Sequence, residues 1–79
     1  MSNVIIYSTP TCHFCHLAKE FFGAHGIKYT DRDAASDRQA RQEAVQKSDQ
    51  MGVPVIDVDG TIVVGFDEPR LRELLKIGN

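Results

Sequence analysis

Apolar positions open the chain as an unbroken run, Val4-Ile5-Ile6-Tyr7, with no polar alternation. A run of that length without alternation is the pattern of a strand buried on both faces. Ser8-Thr9-Pro10-Thr11 then supplies turn chemistry, with Thr11 the expected N-cap of a helix. From Cys12 to about Ala24 the period changes, and Phe14, Leu17, Ala18, Phe21 and Phe22 recur at helical spacing. Gly23 and Gly26 mark the end of that helix, with His25 near its C-terminus. Ile27 to Thr30 reads as a short second strand. A polar second helix follows, opened by a Ser36/Gln39 capping box and carrying a thin apolar stripe of Ala40, Ala44 and Val45.

Strand-like sequence returns in Gly52-Val53-Pro54-Val55-Ile56-Asp57-Val58 and again in Thr61-Ile62-Val63-Val64. Asp59-Gly60 between two such runs is the strongest short hairpin signal a sequence carries. Gly65 breaks the second run, and Asp67 can cap a last helix bearing Leu71, Leu74, Leu75 and Ile77. Pro69 is tolerated there because it falls in the first turn, and Gly78 lies beyond the expected end. The element order is β-α-β-α-β-β-α, an α/β arrangement without repeat, linker or low-complexity segment.

Length and charge narrow the function classes. The 79 residues make one domain, 1–79, near the size at which a single core is only marginally sufficient. Nine basic and eleven acidic residues are interspersed along the chain and give a formal charge of −2. No basic stripe is present to track phosphates, which argues against a nucleic-acid partner. No apolar stretch approaches the roughly 20 residues that span a bilayer. Met1-Ser2-Asn3 shows no charged leader or cleavage pattern, so a cytoplasmic location and no membrane association are expected.

Chemistry enters with the two cysteines, which stand three apart in Cys12-His13-Phe14-Cys15. The leading strand delivers this pair to a helix N-terminus, where unpaired N–H groups and the helix dipole favour a negative sulfur. The thiolate is the reactive species, and such a setting lowers a cysteine pKa below its free value of about 8.5. A disulfide over so short a loop adds little to a fold. In a chain without an export signal the pair reads as catalytic or metal-binding, and Cys-x-x-Cys beside a βαβ pattern reads as a thiol–disulfide exchange centre.

The whole chain resembles the glutaredoxin family, in the form of the short bacterial glutaredoxin-like proteins. The resemblance rests on Tyr7-Ser8-Thr9-Pro10-Thr11-Cys12-His13-Phe14-Cys15, on Gly52-Val53-Pro54, and on Gly65-Phe66-Asp67 at matching intervals. It implies a thioredoxin-like fold with a four-stranded mixed sheet and helices on both faces. It also implies an enzyme, a dithiol–disulfide oxidoreductase in which Cys12 attacks a target disulfide and Cys15 resolves the mixed disulfide. The family's cis-proline falls on Pro54, and the Val53 backbone would pair with an extended peptide or glutathione. Gly65, Phe66 and Asp67 would form the far wall, with Asp67 receiving the glutathione α-ammonium. Lys47 and Gln50 lie where the family contacts the other glutathione carboxylate, and Thr11, His13 and Phe14 flank the bound substrate. The resemblance implies a monomer with no tightly bound cofactor and no metal, using glutathione as co-substrate and acting on protein disulfides or glutathionylated proteins.

The chain departs from the family pattern at several places. Thr9 and Pro10 occupy the segment that often carries a basic residue, Gly52 replaces the usual threonine before Val-Pro, and Val64 replaces one of the usual paired glycines. These changes keep open an alternative: a redoxin reduced by thioredoxin reductase that donates electrons to ribonucleotide reductase. Protonated His13 or His16 would add positive charge beside Cys12 and lower its pKa. Phe14 divides between a site aromatic and a core residue on the helical stripe. Readings from other classes are an iron–sulfur carrier using Cys12 and a c-type haem protein, since Cys12-His13-Phe14-Cys15-His16 matches Cys-x-x-Cys-His, with Met51 as distal ligand. A zinc site fails on geometry, because adjacent helical residues diverge by about 100° and one short segment cannot close a tetrahedron.

Overall fold

The computed structural model describes residues 2–77. Its elements are β1 (Val4–Ser8), α1 (His13–Ala24), β2 (Thr30–Asp33), α2 (Arg38–Ser48), β3 (Val55–Val58), β4 (Thr61–Val64) and α3 (Glu68–Leu75). The four strands form one mixed sheet in the order β2-β1-β3-β4. β1 runs parallel to β2 and antiparallel to β3, and β3 runs antiparallel to β4. This is the thioredoxin-like architecture, with a four-stranded mixed sheet, that the family resemblance implies.

Alternation within β1 explains its unbroken apolar run. Val4 and Ile6 join Ile56, Val58 and Val63 on one face, under Ala18, Phe21 and Phe22 of α1 and Leu71 of α3. Tyr7 and Val55 join Ala40 and Ala44 of α2 on the other face, with Ile5 and Ile62 packed alongside. Both faces of β1 are covered, which is why both sets of alternate positions from Val4 to Tyr7 are apolar, while the polar residues buried in the central strands, Ser8 and Asp57, are hydrogen-bonded. Asp59 and Gly60 take φ of 51° and 93° in the β3–β4 turn. That is the left-handed geometry a two-residue hairpin requires. Among the described residues no helix is long and apolar enough to cross a membrane.

Several boundaries differ from the expectations, each for a local reason. Cys12, not Thr11, is the N-cap of α1, with its own sulfur accepting a backbone N–H. The second strand lies at Thr30–Asp33, not Ile27–Thr30. Ile27 instead closes α1: Gly26 has φ 66°, and the Ile27 N–H donates to the Phe22 carbonyl at 2.8 Å. The strand that does form is polar because it is the sheet edge, where only one side is paired. Asp37, not Ser36, caps α2 by accepting from the N–H groups of Gln39 and Ala40. The Ser36 hydroxyl donates to Asp33 Oδ2 at 2.8 Å. β3 starts at Val55, after the cis peptide between Val53 and Pro54, so Gly52 and Val53 lie outside the sheet. α3 ends in the left-handed Lys76, φ 57°. Gly78 lies outside the described residues.

Candidate active site

The loop from β1 into α1 is pinned at two points. The Cys12 N–H donates to the Thr9 carbonyl at 3.3 Å, and the His16 ring lies with Nε2 2.9 Å from the Pro10 carbonyl. As a carbonyl can only accept, that ring nitrogen carries the proton. The loop delivers Cys12 to the cap position of a helix of 12 residues. Cys12 and Cys15 form a disulfide with their Cα atoms 5.2 Å apart. The Cys15 N–H also points at Cys12 Sγ, 3.1 Å away. Once the bond is reduced, the same N–H and the helix dipole stabilise a thiolate on Cys12. The two residues differ in access: Cys12 is half-buried, whereas Cys15 is fully buried at 0% exposure.

Beside this turn lies a cleft of about 630 Å³. Phe14 forms one wall, Val53 and Pro54 the floor, and Val64, Gly65, Phe66 and Asp67 the far side, continued by Glu68 and Pro69. Gly65 takes φ 80°, a conformation that disfavours a side chain, and its N–H donates to the Pro54 carbonyl at 2.8 Å. That bond ties the far wall to the cis-proline. Neither backbone group of Val53 has an intrachain hydrogen bond among the described residues. Asp67 caps α3, its Oδ1 accepting the Arg70 N–H at 3.2 Å.

The cleft therefore gathers Phe14, Val53, Pro54, Gly65, Phe66 and Asp67, all six anticipated from sequence. Phe14 is not a core residue: it is 57% exposed and lines the cleft, while Ala18, Phe21 and Phe22 take the core side of α1. His13 is exposed and meets the Phe14 ring edge-on at 5.5 Å, and Thr11 is exposed in the preceding loop. Lys47 and Gln50 do not line this cleft, and their side chains are engaged elsewhere. Lys47 Nζ donates to Asp57 Oδ2 and to the Tyr7 hydroxyl, each at 2.8 Å. Burial pulls its pKa down, but those two hydrogen bonds and the charges behind them outweigh burial and leave it above 10.5. Gln50 uses its side-chain amide on the backbone of Gly52, accepting from the N–H at 2.5 Å and donating to the carbonyl at 2.8 Å. It braces the segment leading into Val53 and contributes no contact to the cleft.

Three lining residues were not anticipated as site residues: Val64, Glu68 and Pro69. Their neighbours Gly65 and Asp67 carried the signal, since a strand end and a helix start bring adjacent residues to one rim. The polar cluster around Tyr7 was also missed. Its hydroxyl donates to Glu43 Oε1 at 2.9 Å, and Arg32 Nη1 donates to the same oxygen at 3.1 Å. Among the described residues no three His, Cys, Asp or Glu side chains converge as metal ligands.

A thioredoxin-like sheet that presents a Cys-x-x-Cys disulfide at a helix N-terminus has the fold and site of a thiol–disulfide oxidoreductase. The glutaredoxin family model matches residues 4–63, and the chain belongs to the glutaredoxin family. It is 42% identical over 71 residues to an uncharacterized glutaredoxin-like 8.6 kDa protein in a rubredoxin operon of Clostridium pasteurianum, covering 90% of this chain and 95% of that one. It is 31% identical over 68 residues to glutaredoxin 3 of Escherichia coli K12, covering 86% of this chain and 82% of that one. Among solved structures, a thioredoxin-like protein crystallised as a point variant superposes with a TM-score of 0.91 at 31% identity, covering 99% and 100% of the two chains. A glutaredoxin from Archaeoglobus fulgidus shares the fold at a TM-score of 0.86 and 23% identity, covering 96% and 88%.

Proposed function

We propose that the chain reduces protein disulfides and mixed disulfides with glutathione, using Cys12 as nucleophile and Cys15 as resolving thiol. The observation that carries this reading is the unequal burial of two disulfide-bonded cysteines at one helix N-terminus, Cys12 half-buried and Cys15 at 0% exposure. In the reduced form the Cys12 thiolate attacks one sulfur of the target disulfide. A mixed disulfide forms, and the other target sulfur leaves as a thiolate that takes a proton from water. Cys15 then loses its proton and attacks Cys12 Sγ, expelling the second target thiolate. Two electrons have passed to the target, and the protein is left with the Cys12–Cys15 disulfide. During this sequence the free N–H and carbonyl of Val53 pair with the extended segment that carries the target cysteine. Electrons return from two glutathione molecules, which leave as glutathione disulfide, or from a flavoprotein thioredoxin reductase. The protein works as a cytoplasmic monomer and carries no resident cofactor.

The donor follows from competition between two complete systems acting on the oxidised protein. One is glutathione with glutathione reductase and NADPH; the other is thioredoxin reductase with NADPH. Turnover with the first supports the glutathione-dependent reading. Turnover only with the second replaces it with a thioredoxin-reductase-serviced redoxin, a donor to ribonucleotide reductase or a comparable acceptor. The engagement of Lys47 and Gln50 elsewhere favours that second reading. No turnover with either system contradicts both.

A further inference from the structure

The cleft beside the disulfide has an uneven chemistry that bears on which disulfides enter it. Its exposed walls are apolar: Phe14 is 57% and Val64 50% exposed, and Val53 and Phe66 continue the same surface. Its far end is acidic, formed by Asp67 and Glu68, and no Lys, Arg or His lines it. Glu68 is balanced by Arg72, whose Nε donates to Oε2 at 2.9 Å. Asp67 is not balanced in this way. One of its oxygens accepts the Arg70 N–H, and no hydrogen bond or ion pair among the described residues engages the other. The two residues best placed in sequence to receive a carboxylate are already spent, Lys47 on Asp57 and Gln50 on Gly52.

Glutathione presents two carboxylates and one ammonium. This cleft can meet the ammonium at Asp67 but has no cationic side chain for a carboxylate, which is left with the first N–H groups of α3 beside the charges of Asp67 and Glu68. An apolar side chain, by contrast, gains by covering Phe14 and Val64, which otherwise face water. We propose that the cleft selects a cysteine-bearing polypeptide segment with an apolar residue beside its cysteine and a basic residue beyond, in preference to glutathione. Val64 is the specificity-determining residue: its half-exposed side chain adds apolar surface to the cleft immediately ahead of Gly65 and brings no charge to meet a carboxylate. The inference rests on the thiol–disulfide exchange assigned to Cys12 and Cys15, and uses the same two-electron step.

The test is single-turnover oxidation of the full chain, reduced with dithiothreitol and freed of it. Four disulfides are compared. Bis(2-hydroxyethyl) disulfide is uncharged and reads the cysteine chemistry alone. The others are glutathione disulfide and two synthetic peptide disulfides, one with leucine and lysine after the cysteine, one with glycine and glutamate. Acid quenching, alkylation and mass spectrometry give the oxidised fraction, and each rate is divided by that of dithiothreitol on the same disulfide. The expected result is a normalised rate for the leucine–lysine peptide about tenfold or more above those of the glutamate peptide and glutathione disulfide. Val64→Lys should collapse that ratio to within about threefold, since one added cation meets the anionic substrates and repels lysine. Equal normalised rates for glutathione disulfide and the leucine–lysine peptide would overturn the inference, as would a Val64→Lys ratio unchanged from the parent. If bis(2-hydroxyethyl) disulfide reacts and the preference is absent, the selectivity alone has failed. If no disulfide reacts faster than with dithiothreitol, the exchange reading has failed as well.

Discussion

Lys47 Nζ lies 2.8 Å from Asp57 Oδ2, so the last turn of α2 is fastened to the middle of β3 through a charged pair. Asp57 is a buried carboxylate at 9% exposure, and its other oxygen accepts the Gly60 N–H of the hairpin turn at 2.7 Å. The same ammonium donates to the buried Tyr7 hydroxyl and lies 5.0 Å from the Tyr7 ring centre. One lysine thus holds a helix, two strands and a turn on the sheet face opposite α1.

Lys47→Met is expected to destabilise the fold by about 1–3 kcal/mol, because it leaves the buried Asp57 carboxylate without its counter-ion and Tyr7 without a donor. Urea unfolding measures this, and Lys47→Met/Asp57→Asn should recover part of the loss. The pH dependence has a definite sign. A lysine raised above 10.5 in the folded chain contributes its full stabilisation below that value and loses it as pH climbs through the folded pKa. The stability gap between parent and Lys47→Met is therefore flat from neutral pH to about pH 9 and narrows only in stronger alkali.

The Asp33 carboxyl is held below its ordinary 3.8 first by the Ser36 hydroxyl, then by the Ala35 N–H. Ser36→Ala should move the Asp33 pKa back up towards 3.8, as read by carboxyl-carbon NMR during an acid titration. A lowered carboxylate stabilises the fold above its unfolded pKa and ceases to do so as pH falls through the folded value. The contribution of this turn is accordingly present at neutral pH and lost in acid.

Gly65 has φ 80°, and a Cβ placed there meets nothing within 4 Å. The cost of Gly65→Ala is therefore backbone strain without a clash, about 1–2 kcal/mol in unfolding free energy. The loss should appear in the denaturation midpoint with an unchanged denaturant slope. The same change at Gly23, which has equal space but no positive φ and lies within α1, should stabilise the chain by up to about 1 kcal/mol.

Periodicity made some elements legible and left others hidden. β1 and α1 declare themselves because Val4, Ile6, Phe21 and Phe22 sit in one core and their spacing records it. The hairpin is legible because Asp59-Gly60 is required by a positive φ at both positions. β2 was misplaced because an edge strand of sequence Thr-Asp-Arg-Asp has no apolar period, and its parallel register with β1 is a long-range fact. The helix caps moved by one residue because Cys12 and Asp37 can both accept an N–H, and only the backbone geometry chooses between neighbours.

The candidate site was legible where residues meet through backbone geometry: Val53-Pro54, Gly65 and Asp67 all reach the cleft. It was illegible where a side chain chooses a distant partner. Nothing in the sequence around Lys47 announces Asp57 ten positions on, in the strand its helix packs against. Nor does Gln50 announce that its amide will fold back on Gly52.

Trapping of the mixed disulfide tests the division of labour between the two cysteines most directly. Cys15→Ser and Cys12→Ser are each reduced, mixed with a peptide disulfide, and examined by intact mass. Cys15→Ser should accumulate one covalent peptide adduct on Cys12, because attack proceeds and resolution cannot. Cys12→Ser should stay unmodified over the same interval, its remaining sulfur being buried at 0% exposure. An adduct on Cys12→Ser forming as fast as that on Cys15→Ser would contradict the assignment of Cys12 as the attacking sulfur.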